Sequence, residues 1–181
     1  MLEILVVGFK GNVHRASGIL DELRVLDDKW ILDLADAVAV HRKVDGSVAM
    51  DQSYRPTGRR AAEWGSTIGL LIGATLSVPF IGDACPMVSE GVMTAAGLGR
   101  IGIAGVDASF WAGVLWIGQN FVELAGQLVL PGDSAIFAIL EVDDAAPATM
   151  RFQKYGGTIL HLSLSIEQQS KITRLLENSA R

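Results

Sequence analysis

The side chains best suited to metal binding or nucleophilic catalysis in this sequence are three histidines and one cysteine: His14, His41, His161 and Cys85. None of the histidines has a histidine, cysteine or carboxylate partner at the spacing of a zinc site. Cys85 lies two residues after Asp83, and a neighbouring carboxylate opposes formation of the reactive thiolate. We therefore predict no metal site, and we interpret Cys85 as an inert or contact thiol rather than a nucleophile.

The segment Gly97–Gly102 matches the G-x-G-x-x-G pattern of dinucleotide-binding loops, and Glu123 follows about 20 residues later. Such a loop needs a preceding strand, because the pyrophosphate binds where a strand turns into a helix. Residues Val92–Ala96 instead have the composition of a helix with small side chains. We predict no nucleotide cofactor and interpret these glycines as packing positions.

Four aspartates, Asp27, Asp28, Asp33 and Asp36, form an acidic cluster. They lack the spacing of a calcium loop, so a solvated loop is favoured over a cation site. The sequence contains neither a recognisable nucleophile–base pair nor a set of metal ligands. We therefore expect a protein that is not an enzyme and that carries no cofactor.

The composition restricts the partners and the location. The 181 residues carry a formal net charge of −5, and the densest basic group is only Arg55, Arg59 and Arg60. Because nucleic acid requires a basic face, we exclude it as a partner. The single cysteine cannot form an internal disulfide, which favours a reducing compartment. We expect a cytoplasmic protein, with association to the inner membrane as the alternative.

The first 55 residues read as strand, helix and strand. The apolar run Leu2–Phe9 is typical of a buried strand and lacks the basic start of a signal peptide. Asn12 is the expected cap of the following helix. The second strand covers Leu34–Arg42, and the Asp-Gly pair after it predicts a type I′ turn into a return strand at Ser47–Gln52. The predicted core positions of the helix are Ala16, Ile19, Leu20, Leu23 and Leu26.

The last 51 residues, 131–181, repeat this order. Strands are predicted at Ser134–Val142 and Thr158–Ser165. A helix lies between them, with Asp143 or Asp144 as its cap, Pro147 in its first turn and a Gly-Gly pair after its end. Ser165 and Gln168 have the spacing of a capping box that starts a final helix.

Two strand–helix–strand units in one antiparallel sheet predict an α+β, ferredoxin-like fold. Residues 1–55 form its first half and residues 131–181 its second half, while residues 60–130 form an inserted apolar helical region.

The inserted region contains glycines at helical spacing. Trp64 to Gly82 is a run of about 19 residues without a formal charge, close to the length that spans a bilayer core. Residues four apart lie on one helix face, where glycines let a second helix approach closely. The predicted helix-packing and oligomer-contact positions are Gly65, Gly69, Gly73, Gly91, Ala95 and Gly99.

A third helix is predicted over Ser109–Leu130, and it carries Trp111 and Trp116. Together with Trp64 these tryptophans fit a buried core or subunit contact slightly better than a belt at a membrane surface.

Several phrases resemble a bacterial family known as domain of unknown function 1269, whose members are usually described as membrane proteins. They are DELRVLDD, LADAVAVHRKVDGSVAM, LPGDSAIFAIL and GGTILHLSLSIEQQ, together with the glycine-rich middle. The resemblance implies an architecture and an association with membranes, and it implies no reaction and no catalytic residue.

Three functions remain, and none of them is enzymatic. In the first, which we favour, the glycine-bearing helices form the core of a homo-oligomer. In the second, a hairpin of these helices lies in or on a bilayer, with lipid as the partner. Glu90 and Arg100 oppose full spanning, because each charge costs about 3 kcal/mol at the bilayer centre. In the third, the same apolar region binds a small apolar ligand.

Overall fold

The computed structural model describes residues 2–29, 33–51, 68, 71–72, 75–76, 119–142 and 148–170. Five strands and three helices have defined bounds in these ranges. Residues 68, 71–72, 75–76 and 166–170 are also helical. In chain order the elements are β1 (Leu2–Phe9), α1 (Arg15–Asp28), β2 (Leu34–Arg42), β3 (Val48–Asp51), α2 (Gln119–Gly126), β4 (Ser134–Glu141), α3 (Ala148–Phe152) with a 3₁₀ turn (Gln153–Tyr155), and β5 (Thr158–Leu164).

The strands form one antiparallel sheet in the order β3-β2-β4-β1-β5. The first and last strands pair directly, from Leu2 opposite Leu164 to Gly8 opposite Thr158. An α+β chain with this set of strands was predicted from the apolar runs, and it is confirmed. The strands end one residue earlier than predicted at Glu141 and Leu164, and the return strand is shorter, at Val48–Asp51.

One side of the sheet, the α1 face, is covered by α1, α3 and the 3₁₀ turn. Odd-numbered residues of β1, such as Leu5 and Val7, pack there against Ile19 and Leu20 of α1. Phe152 and Tyr155 close the same cluster. The predicted core positions of α1 are thus confirmed, with Ala16, Ile19, Leu20 and Leu23 buried and Leu26 partly buried.

The start of α1 differs from the prediction that Asn12 caps it. The N-cap residue is His14, and its side chain makes no capping hydrogen bond. Asn12 Oδ1 instead accepts a hydrogen bond from the His14 backbone N–H at 3.3 Å, in the loop before the helix. Ser134 of β4 supplies the cap, because its Oγ accepts from Ala16 N at 3.2 Å and donates to Asn12 O at 2.6 Å. Such a cap comes from a residue 118 positions away and leaves no local signal.

The turn between β2 and β3 is also different in detail. Gly46 N donates to Lys43 O at 2.9 Å, and Lys43 N donates to Ser47 O at 2.8 Å. These bonds enclose three residues, 44–46, rather than the two of a type I′ turn. Gly46 has φ of +85°, as the last position of such a loop requires. Asp45 Oδ1 accepts from both Ser47 N and Ser47 Oγ, at 2.9 and 2.6 Å.

The opposite side of the sheet, the stripe face, is covered by α2 and by an apolar stripe consisting of Ile68, Leu71, Ile72 and Leu76. The stripe packs with Ile4 and Val6 of β1 and with Phe137 and Ile139 of β4 in one buried cluster. Each stripe residue is at most 2% exposed. Both faces of the sheet are therefore closed by helical residues of the same chain.

Helix α2 ends at Gly126, four residues before the predicted end at Leu130. The hydrogen bonds then tighten, with Leu128 N donating to Ala125 O and Val129 N to Gly126 O. The chain turns inward and buries Leu128 over β1. A Cβ on Gly8 would lie 2.6 Å from Leu128 Cβ, so glycine at position 8 makes this approach possible.

The C-terminal signals are confirmed where the structure describes them. Gly156 and Gly157 follow the 3₁₀ turn with φ of +71° and +89°. Ser165 N donates to Gln168 Oε1 at 2.9 Å, and Gln168 N donates to Ser165 Oγ at 3.2 Å. This reciprocal pair is the predicted capping box, and it opens the helical residues 166–170. The predicted caps Asp143 and Asp144, and Pro147, lie outside the described residues.

Candidate functional site

The six predicted contact positions, Gly65, Gly69, Gly73, Gly91, Ala95 and Gly99, lie outside the described residues. So do Cys85, the glycine motif at 97–102 and the three tryptophans discussed above. What the structure does describe is the apolar stripe that alternates with the first three glycines in sequence. The stripe packs on the sheet of its own chain, which sequence reasoning did not predict.

Thr75 lies among the stripe residues and is 1% exposed. Its hydroxyl donates to Leu71 O at 2.7 Å, one turn earlier in the chain. A buried hydroxyl costs free energy unless it is hydrogen-bonded, and this bond supplies the partner within the helix. The stripe therefore meets the sheet without an unsatisfied hydroxyl.

A carboxyl group is buried on the stripe face. Asp36 is 5% exposed and lies opposite Ile139 of β4, next to an irregularity between Leu34 and Asp36 that shifts the register. Residues two apart on a strand share a face, so Asp36 faces the same side as Val38 and Val40. Burial raises the pKa of Asp36 from 3.8 to about 6, and the hydrogen bond from Ala37 N, 2.8 Å long, opposes part of that rise.

A second buried carboxyl, that of Glu3, lies on the α1 face. Its Oε2 is 3.2 Å from His161 Nε2, and the Glu3 side chain is 5% exposed. Ser163 Oγ lies 3.4 Å from the same Nε2 atom. A catalytic triad needs the acid on one ring nitrogen and the hydroxyl on the other. Because both groups meet one nitrogen, this arrangement does not form a proton relay.

The other two histidines, His14 at the N-cap of α1 and His41 in β2, lie near each other. The ring centroids of His14 and His41 are 6.5 Å apart. Partial burial lowers the pKa of His41, and the nearby His14 lowers it further. Nδ1 of His41 is buried without a hydrogen-bond partner. Within the described ranges, no group of three or more histidine, cysteine or carboxylate side chains could hold a metal ion.

The loop after β1 is tied to the turn before β4. Lys10 Nζ lies 2.9 Å from Asp133 Oδ2 and donates to Gln127 O at 2.7 Å. Gly11 N donates to Asp133 Oδ1 at 2.8 Å. Both oxygens of the buried Asp133 are thereby used. These bonds explain Asp133 as a structural residue that holds the loop after β1 against the turn before β4.

Asp27, from the predicted acidic cluster, also has a structural contact. Its Oδ1 accepts from Leu34 N at 2.9 Å and closes the loop between α1 and β2. Asp36 is buried within β2 rather than solvated in a loop, so for this residue the prediction of a solvated loop is wrong. Its side chain lies on the stripe face because residues two apart in β2, such as Asp36 and Val38, share a face.

The two edges of the sheet are different. At one edge, β3 is four residues long. At the other, β5 is seven residues long, and among the described strands only β1 pairs with it. Leu160 and Leu162 of β5 are partly buried on the stripe face, while His161 and Ser163 are exposed on the α1 face. None of the described helices is both long enough and apolar enough to cross a bilayer.

A family model described as "Protein of unknown function (DUF1269)" matches residues 62–177, and the chain belongs to this family. The match includes the stripe, α2, β4, α3 and β5. No curated protein and no solved structure matches the chain.

Proposed function

We propose that this member of the DUF1269 family is a non-enzymatic, self-assembling protein, in which a ferredoxin-like scaffold presents glycine-bearing helices to a second copy. The observation that carries the proposal is the burial of the apolar stripe against the sheet of its own chain. The stripe fixes one side of the glycine-bearing segment. In this proposal, the glycine side next to the stripe meets a second copy of the chain.

The strand order supports the scaffold. Without the hairpin strand β3, the order is β2-β4-β1-β5, and every neighbouring pair is antiparallel. A ferredoxin-like sheet has this order, with each half contributing strand, helix and strand. The proposed scaffold therefore has β3 and the region between β3 and β4 as additions.

The period of the helix places the glycine side next to the stripe. At 3.6 residues per turn, positions 65, 69 and 73 centre about 85° around the helix axis from the centre of the stripe, and Leu76 of the stripe falls between positions 65 and 69. Three glycines in one helix cost about 1 kcal/mol each relative to alanine. Close approach of a second helix at the glycine side offsets that cost. A second copy of the chain is the proposed source of that helix.

The described polar groups give no support to an enzymatic function. Glu3 and Ser163 approach the same nitrogen of His161, and both carboxyl oxygens of Asp133 are used to hold the loop at Gly11 and Lys10. Asp36 is buried, and its Oδ1 accepts a hydrogen bond from Ala37 N. We propose structural roles for these groups.

The test of the glycine surface is a pair of leucine substitutions in the same segment. Gly69→Leu adds a side chain in the middle of the glycine side, and overpacking there costs about 1–3 kcal/mol. Ala74→Leu is the matched control, because the helical period puts position 74 away from both the glycines and the stripe. We expect Gly69→Leu to lose the assembled form or to aggregate, and Ala74→Leu to keep the wild-type mass by light scattering.

The proposal fails if Gly69→Leu keeps the mass, melting temperature and solubility of the wild type. The membrane alternative has its own outcome in cell fractionation. Wild-type protein that stays with the membranes after a carbonate wash would favour lipid rather than a second copy as the partner of the glycine side.

A further inference from the structure

Within the described part of the chain, β5 is an edge strand without the usual protection against pairing. Natural edges are protected by short length, by lysine or proline, or by a bulge. The sequence of β5 is TILHLSL, in which His161 is the only ionisable residue, and its register with β1 is continuous. The opposite edge, β3, is short and ends on Asp51.

Apolar side chains accompany this open edge. Leu160 and Leu162 of β5 and Phe121 of α2 are only partly buried on the stripe face. Ile166, just beyond the strand, is 83% exposed, and Leu124 of α2 is 39% exposed. Helix α2 packs against β5, so these residues border one margin of the molecule. Among the described residues, this margin combines backbone groups of β5 that no second strand pairs with an apolar border, and strand addition uses both features.

We propose that β5 pairs with β5 of a second copy, antiparallel and about a two-fold axis at His161, which joins the two five-stranded sheets edge to edge. This contact would be additional to that of the glycine-bearing helices. It deepens the proposed function, since it names a surface through which the chain self-associates.

The sequence of β5 identifies a second copy as the occupant. The register that pairs all seven residues has its centre at His161. It sets Leu160 opposite Leu162 of the other copy twice, once on each side of the axis. Ile159 meets Ser163, and Thr158 meets Leu164, in the same symmetric way. An interface about a two-fold axis must be self-complementary, and this strand satisfies that condition without a charged residue off the axis.

The charges at the axis are also compatible with a pair of identical strands. The two copies of His161 would lie opposite each other on the α1 face. Glu3 Oε2 is 3.2 Å from His161 Nε2 within each chain. The two imidazoles would therefore be flanked by two carboxylates, which compensate any positive charge that the rings carry.

Cysteine cross-linking tests the register directly. Opposite residues of antiparallel strands have Cα atoms about 4.5–5.5 Å apart, within the range of a disulfide. His161→Cys in a Cys85→Ser background is expected to give a disulfide-linked dimer on mild oxidation. Val44→Cys in the same background is the matched control, because Val44 is 85% exposed in the turn at the opposite edge. We expect at least tenfold less cross-linking for the control.

A charge substitution tests the same contact in the reduced protein. His161→Lys puts an ammonium group beside Glu3 within each chain and sets two ammonium groups opposite each other at the axis. Like charges at directly opposite positions destabilise strand pairing. We expect the mass to fall by half at micromolar concentration, and Val44→Lys to leave it unchanged. Mixing His161→Lys with His161→Glu should restore the association as a heterodimer.

The outcomes separate this contact from that of the glycines. Cross-linking of the His161→Cys variant that persists when Gly69→Leu is added supports β5 pairing independently of the helices. Wild-type protein that is oligomeric, with no cross-link at position 161 and no effect of His161→Lys, overturns the β5 contact and leaves self-association standing. Wild-type protein that is monomeric at all concentrations overturns both.

Discussion

The two faces of the sheet are both closed by helical residues, but the residues beneath those helices differ. On the α1 face, α1 covers apolar side chains, and the one buried carboxyl described there, that of Glu3, lies 3.2 Å from His161 Nε2. The polar bonds of Ser134 and Asp133 lie at the end of the sheet. On the stripe face, the carboxyl of Asp36 lies within the covered area. Gly8 also lies there, where Leu128 approaches too closely for any Cβ.

This difference indicates two kinds of packing. The α1 face is an apolar core beneath α1, α3 and the 3₁₀ turn, and its buried carboxyl, that of Glu3, has the imidazole of His161 beside it. The stripe face is covered by α2, by the chain after it and by the narrow apolar stripe, and burial raises the pKa of its carboxyl, that of Asp36, to about 6. The following predictions test this contrast, from the largest expected effect to the smallest.

The first prediction compares two fully buried leucines on opposite faces. Leu20 of α1 is 0% exposed and Leu71 of the stripe is 1% exposed. Truncating a buried leucine to alanine costs about 2–5 kcal/mol, because transfer energy is lost and a cavity remains. We expect Leu20→Ala and Leu71→Ala to lower the free energy of unfolding by similar amounts in urea titrations. A Leu71→Ala protein as stable as the wild type would show that the stripe does not pack on the sheet.

The second prediction concerns the sign of the Asp36 effect. Because the folded state holds this proton more tightly than the unfolded chain, stability falls as the pH rises from about 4 to about 6 and remains lower above that. A rise in pKa from 3.8 to about 6 corresponds to about 3 kcal/mol. Asp36→Asn keeps an acceptor for Ala37 N and cannot ionise, so we expect it to be more stable than the wild type at pH 7.

The advantage of Asp36→Asn should shrink below pH 4, where the wild-type carboxyl is protonated in both states. Urea titrations at pH 4 and pH 7 measure both quantities. Asp21→Asn, an equal change in formal charge at an exposed site of α1, is the control. An advantage that is the same at both pH values would contradict the burial of an ionisable group on the stripe face.

The third prediction compares two glycines. Gly8→Ala places a Cβ against Leu128 on the stripe face and should destabilise the protein by about 1–3 kcal/mol. Gly18→Ala in α1 meets open space and should stabilise it by up to about 1 kcal/mol. Melting temperatures that move in opposite directions would agree with the close approach at Gly8. If both melting temperatures rose or both fell, the close contact between Leu128 and Gly8 would be contradicted.

The fourth prediction concerns the cap of α1. Ser134→Ala removes the acceptor for Ala16 N and the donor to Asn12 O, while burial of the site is kept. The expected loss is about 1 kcal/mol, as for other N-caps. Asn12→Ala should cost less, since among the described residues the Asn12 side chain bonds the backbone of the loop residue His14 and no N–H of the helix. A larger loss of stability for Asn12→Ala than for Ser134→Ala would show that Asn12 is the residue that caps α1.

The sequence predicted the elements whose signals are local. Apolar runs located four strands, the helical period located the core of α1, and the Ser165–Gln168 spacing located a capping box. Local signals also predicted the position of the hairpin but not the length of its loop. An Asp-Gly pair occurs both in two-residue type I′ turns and in three-residue loops that end on glycine, and the structure has the three-residue loop.

Contacts between distant residues were not predictable in this way. The capping of α1 by Ser134, the bond from Gly11 to Asp133 and the pairing of Glu3 with His161 each join residues more than 100 positions apart. Asp36 was missed because it was interpreted as part of an acidic loop, although it shares the alternation of Val38 and Val40 in β2 and therefore lies on their buried face. The packing of the stripe on the sheet of its own chain was not predicted, because the apolar side of a helix can contact a sheet, a subunit or lipid equally well.

The most direct test of self-association is the mass of the wild-type protein by sedimentation equilibrium over a wide range of concentrations. The chain mass is 19.3 kDa. We predict a mass of two or more chains at micromolar concentration. This mass should fall on dilution and with Gly69→Leu. A constant mass of one chain across the whole range, in protein that is folded and free of detergent, would contradict the account.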